Sequence, residues 1–596
     1  MRSFISTETG SLLNVTKSAG GRRWLRRVEA DDPVPGAIQD ATGCHPIVAK
    51  VLAGRDIEPA NASAILAPSL RLLMPDPSLL RDAEAAAGLL ADLAEARAKV
   101  GLFGDYDVDG AASCALLARW LTAMGAEPLI HIPDRITEGY GPNIAAIDAM
   151  MGQGIDALVT LDCGATSHEA LSHAKGEGIS VVVLDHHQMS DLGPAVDALV
   201  NPNRPDDTSG LGHLCAAGVT FMTLVGANRA LRARGHAKEV LPDLLQLLDL
   251  VGLATVADVV PLRGLNRAFV VQGLKVARAR STLGLAALIE TARLTGPLQA
   301  HHFGYILGPR INAGGRIGDA AMGARLLTTT DQGEAAHLAG ELDTLNAQRQ
   351  AIETEAVADA IERVERAGEV PPVLVLRDDS WHQGVIGLIA ARLKERFHRP
   401  SLAFTLSADG HWTGSARSIA GIDIGAVVAA LVGEGVLAKG GGHAMAAGMT
   451  VETARWERFC EAVVSAVGTH MTAELASPPL VIDAVLTAEG ASLELINALE
   501  VAAPYGSDFP EPLFVLPSHR VVSSKIVGTG HVKARLIDGS GKGLDAIAFR
   551  AADTELGETL LKTTVPVHVA GSLSRNSWQG RESAQMRIVD VAKPLM

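Results

Sequence analysis

The chain of 596 residues has few aromatic side chains and few cysteines. Aromatic residues make up only 4% of it, so platforms on which a ring-shaped ligand could stack are scarce. The cysteines are scattered and form no C-x-x-C pair; they are Cys44, Cys114, Cys163, Cys215 and Cys460. This distribution argues against a disulfide framework and a thiolate zinc site, and it favours a reducing compartment, the cytoplasm.

Long apolar runs are also missing from the sequence. We find no run of about 18 apolar residues, the length that suggests a membrane span. The N-terminus, MRSFISTETGSLLNV, lacks the apolar centre of a secretory signal. The stretch GGRRWLRR (20–27) only weakly resembles a transit peptide, because Glu8 precedes it and no clear amphipathic stripe is present. We therefore expect a cytoplasmic protein without membrane contact.

The net charge of -15 argues against a surface that is basic all over, as a general polyanion coat would need. The C-terminal part differs from the rest. Residues 518–596 contain 11 lysines and arginines against 7 aspartates and glutamates. A local basic groove near the C-terminus is therefore compatible with an acidic chain.

From about residue 98, short β-branched runs alternate with helical segments. The runs AKVGLF (98–103), DALVTL (156–161) and ISVVVL (179–184) read as strands. Alternation of this kind predicts a parallel sheet with helices on both faces. Ligands of such sheets gather outside the carboxyl ends of the strands, so the residues that follow each run are the informative ones.

The length and the pattern together predict a multidomain α/β protein. A charged segment with Leu338, Leu342 and Leu345 on one face predicts one long helix, and a strand and helix pattern restarts near Pro371. Short strands with glycine turns beyond Arg520 predict a small β-barrel. The predicted segments are 1–65 (N-terminal segment), 66–330 (parallel-sheet domain), 331–368 (connecting helix), 369–476 (second α/β domain) and 477–596 (β-barrel domain).

Acidic residues and histidines follow the predicted strands. They occur in GDYDVDG, TLDCG and LDHH, and a further one in ADVVPL; they are Asp105, Asp107, Asp109, Asp162, Asp185, His186, His187 and Asp258. If the motifs converge, two carboxylates 4 Å apart repel by about 4 kcal/mol at an effective dielectric of 20. Divalent cations would relieve that repulsion, and oxygen ligands with one or two imidazoles favour Mn²⁺ or Mg²⁺.

Each motif also has a simpler interpretation. DYDVDG resembles a calcium loop in its spacing, but no glutamate stands at the twelfth position. Paired histidines after one strand are more often a helix cap or satisfied core groups than ligands. The presence of Asp162 and Asp258 in addition favours the metal site.

Four ordered motifs, GDYDVDG, LDCG, LDHH and TVADVVPL, resemble those of the DHH phosphoesterase superfamily. Further segments resemble the RecJ branch of single-strand-specific exonucleases, from about Leu72 to the C-terminus; they are HIPDRITEGYG, GPRINAGGRIGDA, WHQGVIGLIAARL, GSARS, GGGHAMAAG, GHVKARLIDGSGKGLDAIAF and NSWQG. Two departures stand out. Phe103 occupies a position where many relatives have histidine, and PYGSDFPEP differs from the usual turn sequence.

The resemblance implies a site with two ions, Mn²⁺ or Mg²⁺. The implied ligands are Asp107, Asp109, Asp162, His186 and Asp258, with Asp162 bridging, and Asp105 is either an additional ligand or a group that supports the ligands. The implied catalytic residues are Asp109, Asp162 and His187, the last placed to bind or protonate around the scissile phosphate. Asp185 would orient an imidazole or cap the following turn.

The resemblance also implies substrate-binding residues. Those in the two α/β domains are Arg310, Arg316, Ser415, Arg417, Gly441, Gly442 and His443, of which Arg310, Ser415 and Arg417 are candidates for the 5'-terminal phosphate. Those in the barrel are Lys533, Arg535 and Trp578, together with Lys525, Arg575 and Arg581. The arginines could instead cap helices or form ion pairs, the glycines could be purely structural, and Trp578 could be a core residue.

We therefore expect a 5'-to-3' exonuclease for single-stranded DNA that releases 5'-mononucleotides in DNA repair and recombination. The expected partners are the 5' end of single-stranded DNA and a helicase or a single-strand-binding protein. The alternatives are another DHH phosphodiesterase, acting on oligonucleotides or cyclic dinucleotides, and a non-catalytic scaffold in replication. The basic barrel and the long helix argue against the first, and the complete set of metal ligands argues against the second.

Overall fold

The computed structural model describes residues 10–578 and 580–594. They form two compact units. One unit is Leu73–Leu475, and the other combines the two ends of the chain, residues 10–72 and 476–594. The N-terminal part of the second unit contains one short strand and four helices, which are β1 (Trp24–Arg26), α1 (Val34–Thr42), α2 (Pro46–Ala53), α3 (Pro59–Leu66) and α4 (Leu70–Leu73).

The first α/β domain has a five-stranded sheet. Its elements are α5 (Ala83–Ala96), β2 (Lys99–Gly104), α6 (Val108–Ala123), β3 (Glu127–His131), α7 (Ile144–Met151), β4 (Ala157–Leu161), α8 (His168–Gly176), β5 (Ser180–Leu184), β6 (Ala198–Val200) and α9 (Ala216–Ala233). The strands lie in the order β3-β2-β4-β5-β6, and all neighbours are parallel. Every residue of β4 is buried, as expected for a strand covered by helices on both faces. The predicted parallel sheet is confirmed.

A helical part completes this domain. Its elements are α10 (Leu248–Ala257), α11 (Gly264–Ala279), α12 (Leu283–Thr291), α13 (Ala300–His302), a π-helical turn (Phe303–Leu307), α14 (Gly308–Ile317) and α15 (Ala321–Thr328). By length and composition Lys238–Ala257 could cross a membrane, but half of that window is buried inside the protein. Because buried core helices have the same composition, this single stretch is weak evidence for a membrane span.

The long helix α16 (Gln332–Ala367) follows and links the first α/β domain to the second. Its 36 residues span about 54 Å at 1.5 Å per residue. The second domain contains β7 (Leu374–Arg377), α17 (Ile386–Phe397), β8 (Ser401–Leu406), β9 (Trp412–Arg417), α18 (Ile424–Gly433), β10 (Lys439–His443), β11 (Ala446–Val451), α19 (Trp456–Gly468) and α20 (Ala473–Ala476). Its sheet has the order β10-β11-β9-β8-β7, so β10 is an edge strand.

The second unit contains a closed barrel. The C-terminal elements are β12 (Leu480–Ile482), β13 (Ala484–Val485), α21 (Leu493–Val501), β14 (Phe514–Val527), β15 (His531–Ile537), β16 (Gly543–Ala548), α22 (Glu555–Lys562), β17 (Val567–Trp578) and β18 (Arg581–Ala592). The strand β14 pairs with both β15 and β17, and β16 pairs with β18 in parallel. This is the five-stranded topology of an OB-fold, which confirms the predicted barrel.

The N-terminal segment packs on this barrel. Strand β1 pairs in parallel with β12, and Trp24 is fully buried in a core that includes Leu480 and Val515. The buried carboxylate of Asp590 joins the two ends of the chain. Its Oδ2 accepts hydrogen bonds from Ser18 Oγ (2.6 Å) and Trp24 Nε1 (3.1 Å). Residues 10–72 are therefore part of the barrel unit.

We expect Asp590→Ala to lower the free energy of unfolding of this unit by about 3 kcal/mol. The reason is that the buried donors of Ser18 and Trp24 would lose their acceptor, and Arg22 Nε, 3.5 Å from Asp590 Oδ2, would lose its counter-charge. Urea-induced unfolding measures the change. Glu489→Ala is the control, because this exposed residue makes only a 3.7 Å ion pair with Lys542. Equal losses in both variants would contradict the role of Asp590.

Candidate metal centre and phosphate site

The ends of three parallel strands bring the predicted ligands together. Asp105 follows β2, Asp162 follows β4, and His186 follows β5, while Asp258 ends α10. His186 Nε2 lies 3.3 Å from Asp162 Oδ1 and 3.6 Å from Asp258 Oδ2. It also lies 3.7 Å from Asp109 Oδ2. Four segments that are far apart in sequence therefore share one small volume.

The cluster contains two sets of three ligand atoms that share no residue. In each set, the ligand atoms all lie within 4.8 Å of one another. One set is Asp105, Asp107 and Asp162, and the other is Asp109, His186 and Asp258. A third set, Asp162, His186 and His187, shares one residue with each of them. The geometry therefore offers two neighbouring places for a divalent cation.

The donor set fits a hard divalent cation. The Oδ1 atoms of Asp105 and Asp162 are buried and have no hydrogen-bond partner among the described residues. Burial, together with the charges of Asp109, Asp107 and other neighbouring carboxylates, raises the pKa of Asp162 well above its usual range. Burial and the charge of Asp107 do the same to the pKa of Asp105. Unpartnered carboxylate oxygens that repel one another are what Mn²⁺ or Mg²⁺ would satisfy.

Two of the carboxylates are fixed by helix N-termini. Asp107 caps α6, and its Oδ1 accepts hydrogen bonds from the N–H groups of Asp109 and Gly110. The oxygens of Asp109 accept hydrogen bonds from the N–H groups of Ala216 (2.6 Å) and Ala217 (2.8 Å), which begin α9. Because the positive ends of two helix dipoles point at them, these carboxylates are held in place in spite of their mutual repulsion.

Asp185 positions His187 through a close hydrogen bond. Its Oδ1 lies 2.7 Å from His187 Nδ1 and accepts hydrogen bonds from the N–H groups of His186 and His187, while its Oδ2 accepts one from Ala165 N–H. Burial opposes ionisation of Asp185, but the bond to His187 outweighs it and lowers the Asp185 pKa to about 2. The same pairing, against burial, raises the pKa of His187 to about 9. The predicted role of Asp185 in orienting an imidazole therefore has a geometric basis.

The glycine-rich motif of the second α/β domain reaches the metal centre. The rings of His443 and His187 are stacked, with centroids 6.1 Å apart. Gly441 pairs with Gly448 on β11, and a Cβ at either position would meet nothing within 4 Å. Gly442 has φ +157, and a Cβ there would lie 2.3 Å from Ala446 O, so this position requires glycine. The exposed strand therefore presents bare backbone to anything bound beside His187.

Three arginines cluster near the metal centre without a counter-charge. Burial, together with the charges of Arg135, Arg349 and Arg417, lowers the pKa of Arg316 to about 10. Burial and the charge of Arg135 also lower the pKa of Arg417, whose Nη1 donates to Ser415 Oγ at 2.9 Å. Within the described parts of the chain, none of Arg135, Arg316 and Arg417 has a carboxylate within 4.0 Å. Such a cluster favours a bound anion.

The structure places Arg310 apart from these three. Its Nε donates to Asp343 Oδ1 at 2.9 Å, and its Nη1 donates to Ile306 O. The ion pair that the sequence left open as an alternative is therefore present.

Sequence reasoning missed Arg135, Tyr106 and Tyr140. Arg135 stacks on the Tyr106 ring at 5.1 Å, and Tyr140 OH lies 3.3 Å from His187. The sequence signal that could have identified them is their location in two of the motifs that carry the family resemblance, HIPDRITEGYG and GDYDVDG.

In the barrel unit, the predicted strand-binding residues differ in their surroundings. Arg535 donates to Asp545 Oδ1 at 2.8 Å, and Arg575 pairs with Glu500 and Glu582. Lys525 and Lys533 are exposed, and neither has an ion pair with any described residue. The side chain of Trp578 lies outside the described residues. Among the described residues, no carboxylate neutralises the charges of the two lysines, whereas carboxylates do neutralise those of Arg535 and Arg575.

Known families match most of the chain. The DHH family, N-terminal domain, matches residues 99–255, the DHHA1 domain matches 371–469, and the RecJ OB domain matches 482–590. The single-stranded-DNA-specific exonuclease RecJ of Salmonella typhimurium is 36% identical over 96% of this chain and 99% of its own. The Escherichia coli protein of the same name is 35% identical over 96% and 99%. The chain belongs to the RecJ family.

Solved structures agree with this membership. A crystal structure of RecJ from Thermus thermophilus in complex with Mn²⁺ has a TM-score of 0.80 and 30% identity, covering 96% of this chain and 79% of that one. A second, in complex with Mg²⁺, has a TM-score of 0.75 and 28% identity, covering 96% and 78%. Both cations are those that the sequence predicted. The chain is therefore a metal-dependent nuclease of the RecJ family.

We expect Asp162→Asn to raise the melting temperature of the metal-free protein, because it removes a buried charge that costs free energy at neutral pH. The same change should reduce the rise in melting temperature on adding Mn²⁺, because one of the two ligand sets loses a carboxylate, and it should reduce hydrolysis more than about 100-fold. Thermal scans with chelator and with Mn²⁺ measure the first two effects. Asp148→Asn, a change in a residue that pairs with His173 at 2.6 Å, is the control. Undiminished Mn²⁺-dependent cleavage by Asp162→Asn would refute the ligand assignment.

Proposed function

We propose that this protein removes nucleotides from the 5' end of single-stranded DNA and releases 5'-mononucleotides. The observation that carries the proposal is the presence, in one compact unit, of a carboxylate and histidine cluster and a separate arginine cluster that forms no ion pair with any described carboxylate. A non-catalytic scaffold has no need of buried carboxylates that repel one another. The complete ligand set therefore supports an active enzyme.

The proposed metal sites follow from the two ligand sets. Asp105, Asp107 and Asp162 would hold one ion, and Asp109, His186 and Asp258 would hold the other. Asp162 Oδ1 lies 3.3 Å from His186 Nε2, so Asp162 is adjacent to both sets. When bound, two such ions supply an activated water and stabilise the leaving oxygen of an in-line displacement at phosphorus.

His187 is the proposed partner of the scissile phosphate. Its Nδ1 is engaged by Asp185, and this pairing favours the protonated imidazole. The protonated ring can therefore donate from Nε2 to a phosphate oxygen or give a proton to the leaving group. His443, stacked on it, limits the directions from which the strand can enter.

The arginine cluster is the proposed site of the 5'-terminal phosphate. Arg417 and Ser415 lie on β9, where the hydroxyl and the guanidinium are hydrogen-bonded to each other. Arg135 and Arg316 add charge from the first domain, and a dianionic phosphate would relieve the repulsion among the three guanidinium groups. A strand end held there places one phosphodiester at the metal centre, which limits each cut to one nucleotide. Arg310 has its own carboxylate and acts as a support for α14.

The barrel is the proposed binding site for the rest of the strand. Lys525 on β14 lies opposite Lys533 on β15, and neither has an ion pair with a described residue. Phe549, just after β16, is 53% exposed, and Arg587 lies over its ring at 5.8 Å. Exposed lysines and an aromatic ring suit phosphates and bases of a single strand. Arg535 and Arg575 contribute less, because aspartate and glutamate neutralise them.

The proposed cellular role is DNA repair and recombination in the cytoplasm. The substrate must be single-stranded, so a reaction that separates the strands has to precede hydrolysis. We therefore infer that a helicase or a single-strand-binding protein supplies the substrate.

We expect Arg417→Ala to raise the KM for a 5'-phosphorylated strand by about tenfold or more, since a charge-assisted contact with the terminal phosphate would be lost. The KM for the same strand with a 5'-hydroxyl should change little. Steady-state kinetics with both strands measures the difference. Arg396→Ala is the control, because its guanidinium pairs with Glu365 on the surface. Equal KM changes for the two strands would argue against a terminal-phosphate site.

We expect Lys533→Ala to weaken binding of long single strands and to reduce the salt slope of log K by about one unit, because one phosphate contact would be lost. Arg535→Ala is the matched variant on the same strand, and it should change the slope much less, because Asp545 already pairs with Arg535. Fluorescence anisotropy at several salt concentrations measures both. A larger effect from Arg535→Ala would place the strand elsewhere on the barrel.

A further inference from the structure

The residue after the ligand Asp258 has an unfavourable backbone conformation. Val259 has φ +60, in the left-handed region. Its Cβ carries two methyl groups, and β-branched residues are among the least tolerant of this region. Such strain costs free energy and persists where the surroundings or a function require it.

Burial does not compensate for this strain. The side chain of Val259 is 68% exposed, so it gains little from packing. A glycine would adopt the same conformation without cost, and at this exposed position packing does not require an apolar side chain. An exposed, strained valine is therefore better explained by a contact with something that binds at this place.

Val259 lies at the rim of the metal centre. Its neighbour Asp258 reaches the cluster, with Oδ2 3.6 Å from His186 Nε2. The N–H of Val259 donates to Val256 O at the end of α10, so the turn is tied to the helix. Val259 therefore follows directly on a residue of the carboxylate and histidine cluster, and its side chain is exposed there.

An exposed aromatic residue stands on the adjoining turn. Tyr305 is 83% exposed and lies in the π-helical turn Phe303–Leu307, a type of turn that is frequent at functional sites. This turn packs closely on the end of α10. A Cβ at Gly304 would lie 3.1 Å from Val256 Cγ1, and one at Gly308 would lie 3.4 Å from Ala257 Cβ.

We propose that Val259 and Tyr305 form an apolar shelf beside the metal centre on which a nucleobase of the bound single strand lies. The apolar shelf comprises these two side chains only. Both side chains are exposed, Val259 directly follows Asp258, and the turn that carries Tyr305 packs on the end of the same helix. A nucleobase offers a flat face that such side chains can contact. A base stacked on tyrosine needs no particular sequence, which suits an enzyme that degrades strands of any sequence.

This inference rests on the proposed function, because it requires a single strand at the metal centre. The experiment compares the first cut of a short 5'-phosphorylated strand with the first cut of strands that carry one abasic residue, placed in turn at each of the first few nucleotides. All are digested with the full-length enzyme and Mn²⁺. For the native enzyme, an abasic residue at one position should lower kcat/KM by about tenfold.

Tyr305→Ala should lower kcat/KM for the intact strand by about the same factor, and the abasic residue should then have no further effect at that position. Val259→Gly should show the same pattern with a smaller loss. Its melting temperature should be unchanged or higher, since glycine relieves the strain. Its Mn²⁺ affinity, measured by electron paramagnetic resonance, should be unchanged. Val240→Ala, which alters another valine that is 60% exposed, is the control and should leave all values unchanged.

Two outcomes would overturn the apolar shelf. One is a loss by Tyr305→Ala that is equal for intact and abasic strands, and the other is a weaker Mn²⁺ affinity in Val259→Gly, which would make Val259 a support for Asp258. Failure of the native enzyme to cut any single strand with Mn²⁺ would instead refute the proposed function. An active native enzyme that is indifferent to every abasic residue would refute the apolar shelf alone.

Discussion

The mutual repulsion of buried carboxylates at one sheet edge is the constraint on which the rest of this structure depends. Asp105, Asp109 and Asp162 are nearly inaccessible to solvent, and burial together with neighbouring charges raises the pKa of each. A sheet that assembles this cluster loses stability, so its surroundings must hold the carboxylates in place. The N–H groups at the start of α9 do this for Asp109. Divalent cations can then bind the buried carboxylate oxygens of Asp105 and Asp162, which have no hydrogen-bond partner among the described residues.

The arginine cluster presents the opposite charge within the same unit. Arg316 and Arg417 repel each other near a centre whose ligands are negative, yet within the described residues neither is neutralised by an ion pair. A phosphodiester strand is the kind of molecule that serves both, since its terminal phosphate suits the arginines and its next phosphate suits the metal centre. In the proposed function, the packing of the two α/β domains sets the spacing between the two clusters, and this spacing would select the bond that is cut.

The sequence was most informative where a short motif has a strong local reason. The strand ends at Asp105, Asp162 and His186 could be predicted to meet because the carboxyl ends of parallel strands lie at one edge. The helix at Gln332–Ala367 and the barrel could be predicted from periodicity and turn residues. The union of residues 10–72 with the barrel could not, because Ser18 and Asp590 are 572 positions apart and each looks like an ordinary surface residue alone.

The sequence by itself determined the family, the fold class and which carboxylates and histidines come together at the sheet edge, since these follow from ordered motifs and from hydrophobic periodicity. The tertiary structure decided which basic residues are available. Arg310 and Arg535 look like Arg316 and Arg417 in sequence, but Asp343 and Asp545 neutralise the first two. It also decided that Arg135 lies close enough to Arg316 and Arg417 for its charge to lower the pKa of both. The physical reason is that charge is screened or left free by neighbours in space, and a sequence motif specifies only neighbours along the chain.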